Sequence, residues 1–458
     1  MNTKNNSIPS KIYFFDFGYK IRGGAFFFAR LASFFKTELN IPIGFITFKD
    51  DFILNHLNGI DFEFIDYTAP HWSLKDNSLI FVPSERIGCI KDIQGENIRI
   101  ATIFWETEIA WDVLYQKKEL SRLSNLLNKT QSISFMDHGC WIAGKRQLLQ
   151  EFPKNYIPLF FPVTKKEKKY KPIEINEINL VWLGRLDYTK VLSLINVIDN
   201  FYSYKTNKKK QFHIIGSGES EKNLKNYCDK YKDDIEFIFT GILAGNKLET
   251  YLLNETDVAV AMGTSMLNCA NLGLPTIGCH ETPKPFSSDK FIWIFDEPEY
   301  SLGLPYDNAD FSGKELPFNN LLDDLFVFNN YERIGRKCRE YARKSHGNLY
   351  KTAQISLDFL KRSSLYFSDL KRCLKFIPYT GESGVYIEKF SLFGIPLVTI
   401  KHHRNIERVY FLGIQILRKT FNFTRIQWRM FGITICNKKL WGRYSFPGLT
   451  PKKTRQIE

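Results

Sequence analysis

The 458 residues are 44% hydrophobic and 24% charged, a composition typical of a folded globular protein rather than a disordered one. This length exceeds one ordinary hydrophobic core, so two domains and a further segment are expected. The longest apolar stretch, 25–35, is too short to span a membrane and contains Arg30. Asp16 interrupts the N-terminal apolar run, which argues against a signal peptide. The eight cysteines form no CxxC pair, which is typical of reduced thiols in a cytosolic protein and gives no zinc-ligand spacing.

The net charge of +14 is distributed unevenly along the chain. Residues 401–458 contain 13 Lys or Arg and 2 Glu, so most of the positive excess lies at the C-terminal end. A basic segment of this kind indicates an anionic partner. Charge alone does not choose between a membrane surface, a phosphorylated glycan and a nucleic acid.

The first part of the chain alternates short apolar runs with amphipathic stretches. The glycine pair Gly23-Gly24 separates the first run from a helical pattern that continues to Phe35, and a second helical pattern covers 109–127. This alternation predicts a parallel sheet wrapped by helices, in a first Rossmann-like domain at 1–163. The predicted strands are 11–15, 43–48, 79–82, 99–105 and 132–136.

A charged segment at 165–169 has no apolar periodicity and is interpreted as an inter-domain linker with few core contacts. The strand–helix alternation then starts again, with helical spacing of apolar residues from Val191 and from Leu224 and further helical patterns at 321–362. A second doubly wound domain is therefore predicted at 173–365. Its predicted strands are 178–183, 211–215, 235–239, 258–261 and 275–279.

The C-terminal segment repeats an aromatic or aliphatic residue, a glycine and an isoleucine. The glycines Gly394, Gly413 and Gly432 are spaced 19 residues apart, and basic residues follow each one. Units rich in Ile, Val, Phe and Tyr around a central glycine predict bent strands stacked in series, in a β-rich tail at 380–445. The tail is interpreted either as a structural appendage or as a basic, aromatic surface that contacts lipid headgroups or acidic glycan.

Four segments of the second domain place small or charged residues where a predicted strand ends. At the first, Arg185 and Lys190 follow Gly184 at a strand-to-helix junction, where a positive helix end and two cations suit a diphosphate. The other three segments offer close backbone approach or small hydroxyls to a ligand. They contain Gly216 and Gly218, then Gly241, and then Thr264 and Ser265 after Gly263.

The order of these segments resembles the donor-binding domain of the large retaining GT-B glycosyltransferase family that builds bacterial surface polysaccharides. The shared pattern is a strand ending in Gly-Arg-Leu with a Lys beyond it, then G-x-G, F-x-G and a helix ending in G-x-P. The resemblance covers about 179–303 well and the N-terminal half loosely. The tail is similar to tails on some lipopolysaccharide and capsule glycosyltransferases.

The resemblance implies two Rossmann-like domains facing a cleft, with Arg185 and Lys190 as catalytic residues that stabilise the leaving diphosphate. Gly184, Gly216, Gly218 and Gly241 would bind the donor together with Thr264, Ser265 and Asn268. No metal or other cofactor is expected, because the sequence has no Asp-x-Asp motif and fixed cations take that role in this fold.

The sequence departs from the family at two positions. The family has two glutamates eight residues apart, and Val260 and Asn268 stand in their places here. Asn268 can still contact a ribose hydroxyl, whereas Val260 cannot hydrogen-bond through its side chain. The departures leave open a non-catalytic protein that binds a glycan or another transferase.

The acceptor side is predicted at strand ends of the first domain. Gly23 and Gly24 match the family's glycine-rich loop, and Glu106, His138 and Asp16 each follow a predicted strand. Each of these three could position a hydroxyl or act as a base, and each could equally be a helix cap. Glu106 is preferred as the catalytic residue because similar enzymes carry a polar residue at this strand exit.

The leading interpretation is a hexosyltransferase that moves sugar from a nucleotide-sugar to a growing, lipid-linked bacterial surface glycan. The basic tail would hold it on the cytoplasmic face of the inner membrane without a spanning helix. A sugar-nucleotide epimerase and a non-catalytic binding protein remain alternatives. A nucleic-acid partner is not expected, because no nucleic-acid-binding motif accompanies the basic charge.

Overall fold

The computed structural model describes residues 8–17, 23–57, 59–105, 117–170, 176–279, 286–303, 314–374, 385–392, 395–403, 406–412, 414–422, 425–431 and 433–439. By its internal contacts the chain forms two compact units. The first contains Met1–Met136, Cys140–Ile157 and Leu349–Arg443, and the second contains Asp137–Gly139, Pro158–Asn348 and Tyr444–Glu458.

Among its described residues, the first unit begins with eight strands and three α-helices. The strands are β1 (Ile12–Phe15), β2 (Ile43–Thr47), β3 (Glu63–Asp66), β4 (His71–Ser73), β5 (Leu79–Pro83), β6 (Asp92–Gln94), β7 (Arg99–Phe104) and β8 (Ile133–Phe135). The helices are Gly23–Thr37, Lys117–Lys129 and His138–Leu148, with short 3-10 helices at Phe52–Leu57 and Ser84–Cys89.

The second unit contains seven strands and six α-helices among its described residues. The strands are β9 (Glu177–Leu183), β10 (Lys209–Ile215), β11 (Glu236–Gly241), β12 (Val258–Ala261), β13 (Thr276–Gly278), β14 (Lys290–Trp293) and β15 (Leu316–Pro317). The helices are Tyr188–Ser203, Glu221–Cys228, Gly245–Glu255, Thr264–Asn271, Phe318–Phe326 and Tyr331–Tyr341, and the last continues into a π-helix at Ala342–His346.

The chain then returns to the first unit with a helix, a short strand and a second helix. These are Leu349–Arg362, β16 (Leu365–Tyr366) and Phe367–Cys373. The strand β16 pairs antiparallel with β7, and the ring of Phe359 lies 6.3 Å from that of Phe81. The sequence pattern groups this helix with the second domain, whereas its contacts assign it to the first unit.

Each unit is built on a sheet with the same parallel strand order. The sheet of the first unit has the order β3-β2-β1-β5-β7-β8, with β16 also on β7, and that of the second has β11-β10-β9-β12-β13 followed by antiparallel β14 and β15. Numbered within each sheet, both start 3-2-1-4-5, which is the doubly wound Rossmann order. The prediction of two Rossmann-like domains is confirmed, and the chain has the domain content of a GT-B fold.

Phenylalanine fills much of the core of the first unit. Phe14 on β1 lies with its ring 5.3 Å from those of both Phe28 and Phe45, and all three are fully buried. The other face of β1 buries Phe15 against Tyr67 and Trp72. Aromatic side chains bury large areas and pack edge-to-face or stacked, so here they fix the helix Gly23–Thr37 on one face of the sheet and the segment 67–72 on the other.

The predicted linker has more contacts than its charge suggests. The Lys168 backbone N–H donates to the carbonyl of Leu272, and its ammonium donates to the carbonyls of Leu253 and Thr256. The Tyr170 hydroxyl donates to the Gly273 carbonyl at 2.6 Å. The expectation of few contacts is wrong here, because lysine and backbone groups satisfy carbonyls at the ends of helices in the second unit.

The tail is a six-stranded antiparallel meander. Its strands are β17 (Val385–Leu392), β18 (Ile395–His403), β19 (Ile406–Phe411), β20 (Ile414–Asn422), β21 (Arg425–Met430) and β22 (Ile433–Lys439). The predicted β-rich tail is confirmed, but each 19-residue unit is a hairpin rather than one bent strand. The strands on either side of each repeated glycine pair antiparallel with each other, β17 with β18, β19 with β20 and β21 with β22.

Candidate active site

In the second unit, five neighbouring parallel strands end on a single row of the sheet. Gly241 pairs with Ile215, Ile215 with Leu183, Leu183 with Ala261, and Ala261 with Gly278. The helix after β9 leads to β10 on one side of the sheet, and the helix after β12 leads to β13 on the other side. The switch point of the sheet therefore lies between β9 and β12. Ligands of open α/β sheets bind at the carboxyl ends of the strands at this point.

Three of the loops beyond this row hydrogen-bond to one another. The Gly184 N–H donates to the Ile215 carbonyl, the Leu186 N–H to the Ser217 carbonyl, and the Gly216 N–H to the Gly241 carbonyl at 2.8 Å. These bonds join the Gly-Arg-Leu, G-x-G and F-x-G segments into one continuous backbone surface. The structure therefore brings together the predicted donor-binding segments at Gly184, Gly216, Gly218 and Gly241.

The two glycines of the G-x-G segment are needed for this contact between loops. A Cβ atom at Gly216, where φ is +143°, would clash with the carbonyl oxygen of Gly184, and one at Gly218 would clash with the backbone of Leu186. The sequence prediction attributed these glycines to close approach of a ligand. The structure gives a packing reason for both, and their role toward a ligand stays a prediction.

Arg185 and Lys190 stand at the start of the helix Tyr188–Ser203. Asp187 caps this helix by accepting a hydrogen bond from the Lys190 backbone N–H, and its carboxylate lies 3.2 Å from a guanidinium nitrogen of Arg185. The Arg185 side chain is largely exposed, and Lys190 is half-buried. Asp187 thus orients the guanidinium beside a helix N-terminus, where backbone N–H groups and two cations favour an anion.

The helix Thr264–Asn271 begins at the neighbouring strand end. Gly263 precedes it at φ +62°, with no atom within 4 Å of the position its Cβ would take. Thr264 is exposed and Ser265 is half-buried in the first turn. The Asn268 amide donates to the Thr264 carbonyl at 3.3 Å, so this side chain lies along the first turn of the helix. The predicted hydroxyl pair therefore lies at a helix start, open to a ligand.

A buried carboxyl lies beside this helix that the sequence did not indicate. Glu297 is 5% exposed, neither of its oxygens has a hydrogen-bond partner among the described residues, and a Cβ at Gly278 would lie 2.5 Å from its Oε1. Burial, reinforced by the charges of Asp137 and Glu315, raises the pKa of Glu297 well above its usual range. Burial therefore favours the neutral form of this carboxyl, which lies next to Gly278 at the end of β13.

His138 belongs by its contacts to the second unit. Its imidazole Nδ1 lies 3.2 Å from the Glu299 carboxylate, and its backbone N–H donates to the Glu299 carbonyl. Gly139 donates to the Ser301 hydroxyl, and Gly263 donates to the Leu302 carbonyl. The loop 297–303 therefore connects the predicted acceptor-side histidine to the start of the helix Thr264–Asn271.

Polar residues also gather at the carboxyl edge of the sheet in the first unit. Asp16 follows β1 and is 2% exposed, with its carboxylate 3.9 Å from the guanidinium of Arg86, which follows β5. Trp105 follows β7 and donates from its indole to Glu85 at 2.9 Å. The strands β1 and β5 flank the switch point of this sheet, so Glu85 and Arg86 are further site candidates. No local signal in the sequence indicates them, because they lie in a 3-10 helix that no glycine motif precedes.

Two predictions on the acceptor side differ in outcome. Gly24 lies under the indole of Trp105, and a Cβ there would come within 2.8 Å of the ring, while Gly23 is the exposed first residue of its helix. Close packing of a helix start against this edge therefore accounts for Gly24. Glu106, the preferred catalytic residue of this domain, lies outside the described residues.

Within the described ranges, no group of three or more His, Cys, Asp and Glu side chains is arranged to hold a metal ion. The expectation that no metal takes part stays a prediction. Among the same residues, no helix is long and apolar enough to cross a membrane.

Comparison of the sequence with protein-family profiles finds no match, and comparison with curated proteins finds none. Solved structures of similar fold include Anabaena HepE bound to UDP and glucose, at 10% identity and TM-score 0.47 over 75% of this chain and 97% of that one. Staphylococcus aureus TarM bound to UDP has 10% identity and TM-score 0.48, over 77% of this chain and 99% of that one. WaaG, a glycosyltransferase of lipopolysaccharide biosynthesis, has 13% identity and TM-score 0.41 over 76% and 99%. At these identities the likeness is one of fold.

Proposed function

We propose that the protein transfers a sugar from a nucleotide-sugar to a glycan acceptor. The observation that carries the proposal is the edge of the second sheet, where five parallel strands end on one row at the switch point. Arg185 and Lys190 follow one central strand, and the helix start at Thr264 follows its neighbour. A diphosphate is the ligand that two cations and two helix N-termini suit best.

In this reaction the bond between the sugar C1 atom and the diphosphate oxygen breaks, and C1 bonds to the acceptor hydroxyl oxygen. The acceptor proton leaves to a base or to the departing phosphate. Negative charge builds on the diphosphate as the bond breaks, and Arg185 and Lys190 would stabilise that charge more strongly in the transition state than in the ground state. Backbone N–H groups at the two helix starts would add to this effect without having to reorganise.

The acceptor would be received at the edge of the first sheet. Asp16, Glu85 and Arg86 supply a charged, partly buried set of hydrogen-bonding groups at its switch point. Glu106 directly follows Trp105 in the sequence, and we propose it as the base or the hydroxyl-positioning residue. Hexosyl transfer to a lipid-linked surface glycan, at the cytoplasmic face of the inner membrane, is the substrate and location proposed. The excess of Lys and Arg over Glu in the tail supports this location, because the surface of that membrane is anionic.

The experiment is titration calorimetry of the purified full chain with UDP, GDP, CMP and ADP. We expect selective binding of one nucleotide, and loss of that binding in Arg185→Ala/Lys190→Ala. Each charge-assisted hydrogen bond to phosphate is worth about 1.5–3 kcal/mol, so each substitution weakens binding by roughly tenfold to a hundredfold. The matched control is Lys209→Ala/Arg336→Ala, which removes the same charge. Lys209 lies at the amino end of β10, and both side chains pair with exposed glutamates on this unit.

Failure of a well-folded chain to bind any of the four nucleotides would refute the donor site. An equal loss of nucleotide binding in the control double variant would show that net charge alone accounts for the loss in Arg185→Ala/Lys190→Ala. Binding without sugar transfer to a panel of lipid-linked glycans would favour a non-catalytic binding protein, an alternative that Val260 and Asn268 support. Turnover of donor to an isomeric nucleotide-sugar, without acceptor, would instead identify an epimerase.

A further inference from the structure

The two ends of the tail sheet differ in chemistry. Because the sheet is a meander, the reversals β17–β18, β19–β20 and β21–β22 all lie at one end, which we call the glycine-repeat end. The reversals β18–β19 and β20–β21 lie at the opposite end. The glycine-repeat end carries six apolar residues whose side chains the structure describes: Phe411, Leu412, Ile414, Met430, Phe431 and Ile433. The strands end at His403, Ile406, Asn422 and Arg425 at the opposite end.

The apolar residues at the glycine-repeat end are exposed. All six side chains are between 44% and 71% accessible to solvent. Soluble proteins expose single apolar residues routinely, but a contiguous set on adjacent hairpin tips marks an interaction surface.

Two of these tips hold a conformation that their residue type disfavours. Leu412 has φ +48° and Phe431 has φ +47°, in the left-handed region where asparagine or glycine is normally found. Each is followed in the sequence by a glycine, so Asn-Gly, the favoured pair for a two-residue hairpin, would fit these positions better. A bulky apolar residue at a strained, exposed tip indicates a role other than hairpin stability.

A row of arginines crosses the sheet behind these tips. Arg408 on β19 pairs directly with Arg418 on β20, and Arg418 pairs directly with Arg429 on β21. Residues directly opposite in antiparallel strands project from the same face, with their Cβ atoms about 5 Å apart from strand to strand. Like charges placed directly opposite destabilise a sheet, and no described residue forms an ion pair with any of the three.

The distance from the arginine row to the tips is comparable with the depth of a lipid headgroup region. Arg429 lies two residues before Phe431, and Arg408 lies four residues before Leu412, which at about 3.4 Å per residue is roughly 7–14 Å. Apolar surfaces of peripheral proteins enter the headgroup and acyl boundary by about 5–10 Å. Tips at the acyl boundary would therefore set the arginines at the level of the phosphates.

We propose that the tail docks edge-on to an anionic bilayer, with its glycine-repeat end inserted and the row Arg408–Arg418–Arg429 on the lipid phosphates. Charge complementarity and the exposed apolar tips together favour a membrane over an acidic glycan or a nucleic acid, neither of which would need the tips. The inference rests on the membrane location proposed above and names the surface that would provide it, whichever sugar the enzyme transfers.

The test is flotation of the full chain with vesicles of phosphatidylcholine alone and of equal parts phosphatidylglycerol and phosphatidylcholine. We expect binding to the anionic vesicles only. The variant Leu412→Asn/Phe431→Asn is expected to weaken binding by tenfold or more while its melting temperature stays equal or rises, because Asn relieves the strained φ. The matched control Val327→Asn/Phe328→Asn removes two comparably exposed apolar side chains from the second unit and should bind as the parent does.

A second variant tests the arginine row. Arg408→Gln/Arg418→Gln/Arg429→Gln is expected to lose about fivefold in affinity per arginine and to lose most of the salt dependence of binding. Equal binding of the parent and both tail variants to anionic vesicles would overturn the proposal. So would binding of an anionic glycan or an oligonucleotide that depends on the arginines and is unchanged in Leu412→Asn/Phe431→Asn. Nucleotide binding, measured on the same samples, is expected to stay unchanged, which separates failure of docking from failure of the donor site.

Discussion

The imidazole of His346 makes the second unit sensitive to acid. His346 is 1% exposed, and its Nδ1–H donates to the Leu159 carbonyl at 2.8 Å. Burial, the largest cause, lowers the pKa of His346 from 6.5 to about 4. The native state therefore keeps a neutral ring at a pH where the unfolded chain binds a proton. Stability is present in full above pH 6.5 and falls as the pH drops toward 4.

The size of the effect follows from the two pKa values of this group. Between pH 7 and pH 5 the protonation of His346 in the unfolded state is expected to remove about 2 kcal/mol of unfolding free energy. The substitution His346→Asn keeps a donor for the Leu159 carbonyl and removes the titrating ring. Its unfolding free energy should therefore fall by about 2 kcal/mol less than that of the parent over the same interval.

The assay is urea unfolding of parent and variant at pH 7 and pH 5, followed by circular dichroism. The comparison uses the change with pH within each protein, so any cavity left by the smaller side chain cancels. His71→Asn, which removes an exposed histidine from the first unit, is the control and should retain the slope of the parent. Parallel losses of stability in the parent and His346→Asn would refute the reasoning, since another group would then carry the acid sensitivity.

Substitutions at four further positions test the candidate donor site. Gly216→Ala should lower the unfolding free energy by on the order of 3 kcal/mol in the same urea assay and abolish nucleotide binding, because its Cβ would clash with backbone atoms. Gly241→Ala should lower it by only about 1–2 kcal/mol, because the space around Gly241 is open and only its φ of +71° disfavours alanine. The native state resists ionisation of the Glu297 carboxyl and the unfolded chain does not, so the melting temperature of the parent should decline as the pH rises above 4.5. Glu297→Gln should make this decline shallower. An unchanged decline would contradict the raised pKa of this carboxyl. Asp187→Ala should cost about 1 kcal/mol by removing a helix cap, and Asp187→Asn should restore most of that loss while still lacking the ion pair with Arg185.

The sequence predicted every parallel strand of both sheets except β3, because the apolar runs of these strands are local signals. It missed β14 and β15 of the second sheet, which are antiparallel edge strands of four and two residues. It also left β16 unpredicted, since its two residues acquire strand geometry only by pairing with β7 across more than 260 positions. Short edge strands depend on distant partners, and no pattern within the segment itself encodes them.

The candidate site divides in the same way. Gly184, Arg185 and Lys190 were predictable because they follow a strand in a recognisable order. Glu297 was not, because its neighbours in the fold, Gly278 and the helix Thr264–Asn271, lie well before it in the chain. The sequence also could not show why position 216 must be glycine, because the carbonyl oxygen that excludes a side chain there belongs to Gly184 in another loop.

The return of the chain from the second unit to β16 has a consequence for biosynthesis. A ribosome makes residues 158–348 in full before it makes the strand that pairs with β7 and the helix that carries Phe359. The sheet of the unit that is encoded first is thus completed only after residues 158–348 have been made, and Arg99 and Ile100 of β7 lack their partner strand until then. A nascent chain released before residue 366 would expose that edge, where an unpaired strand is open to association with other chains.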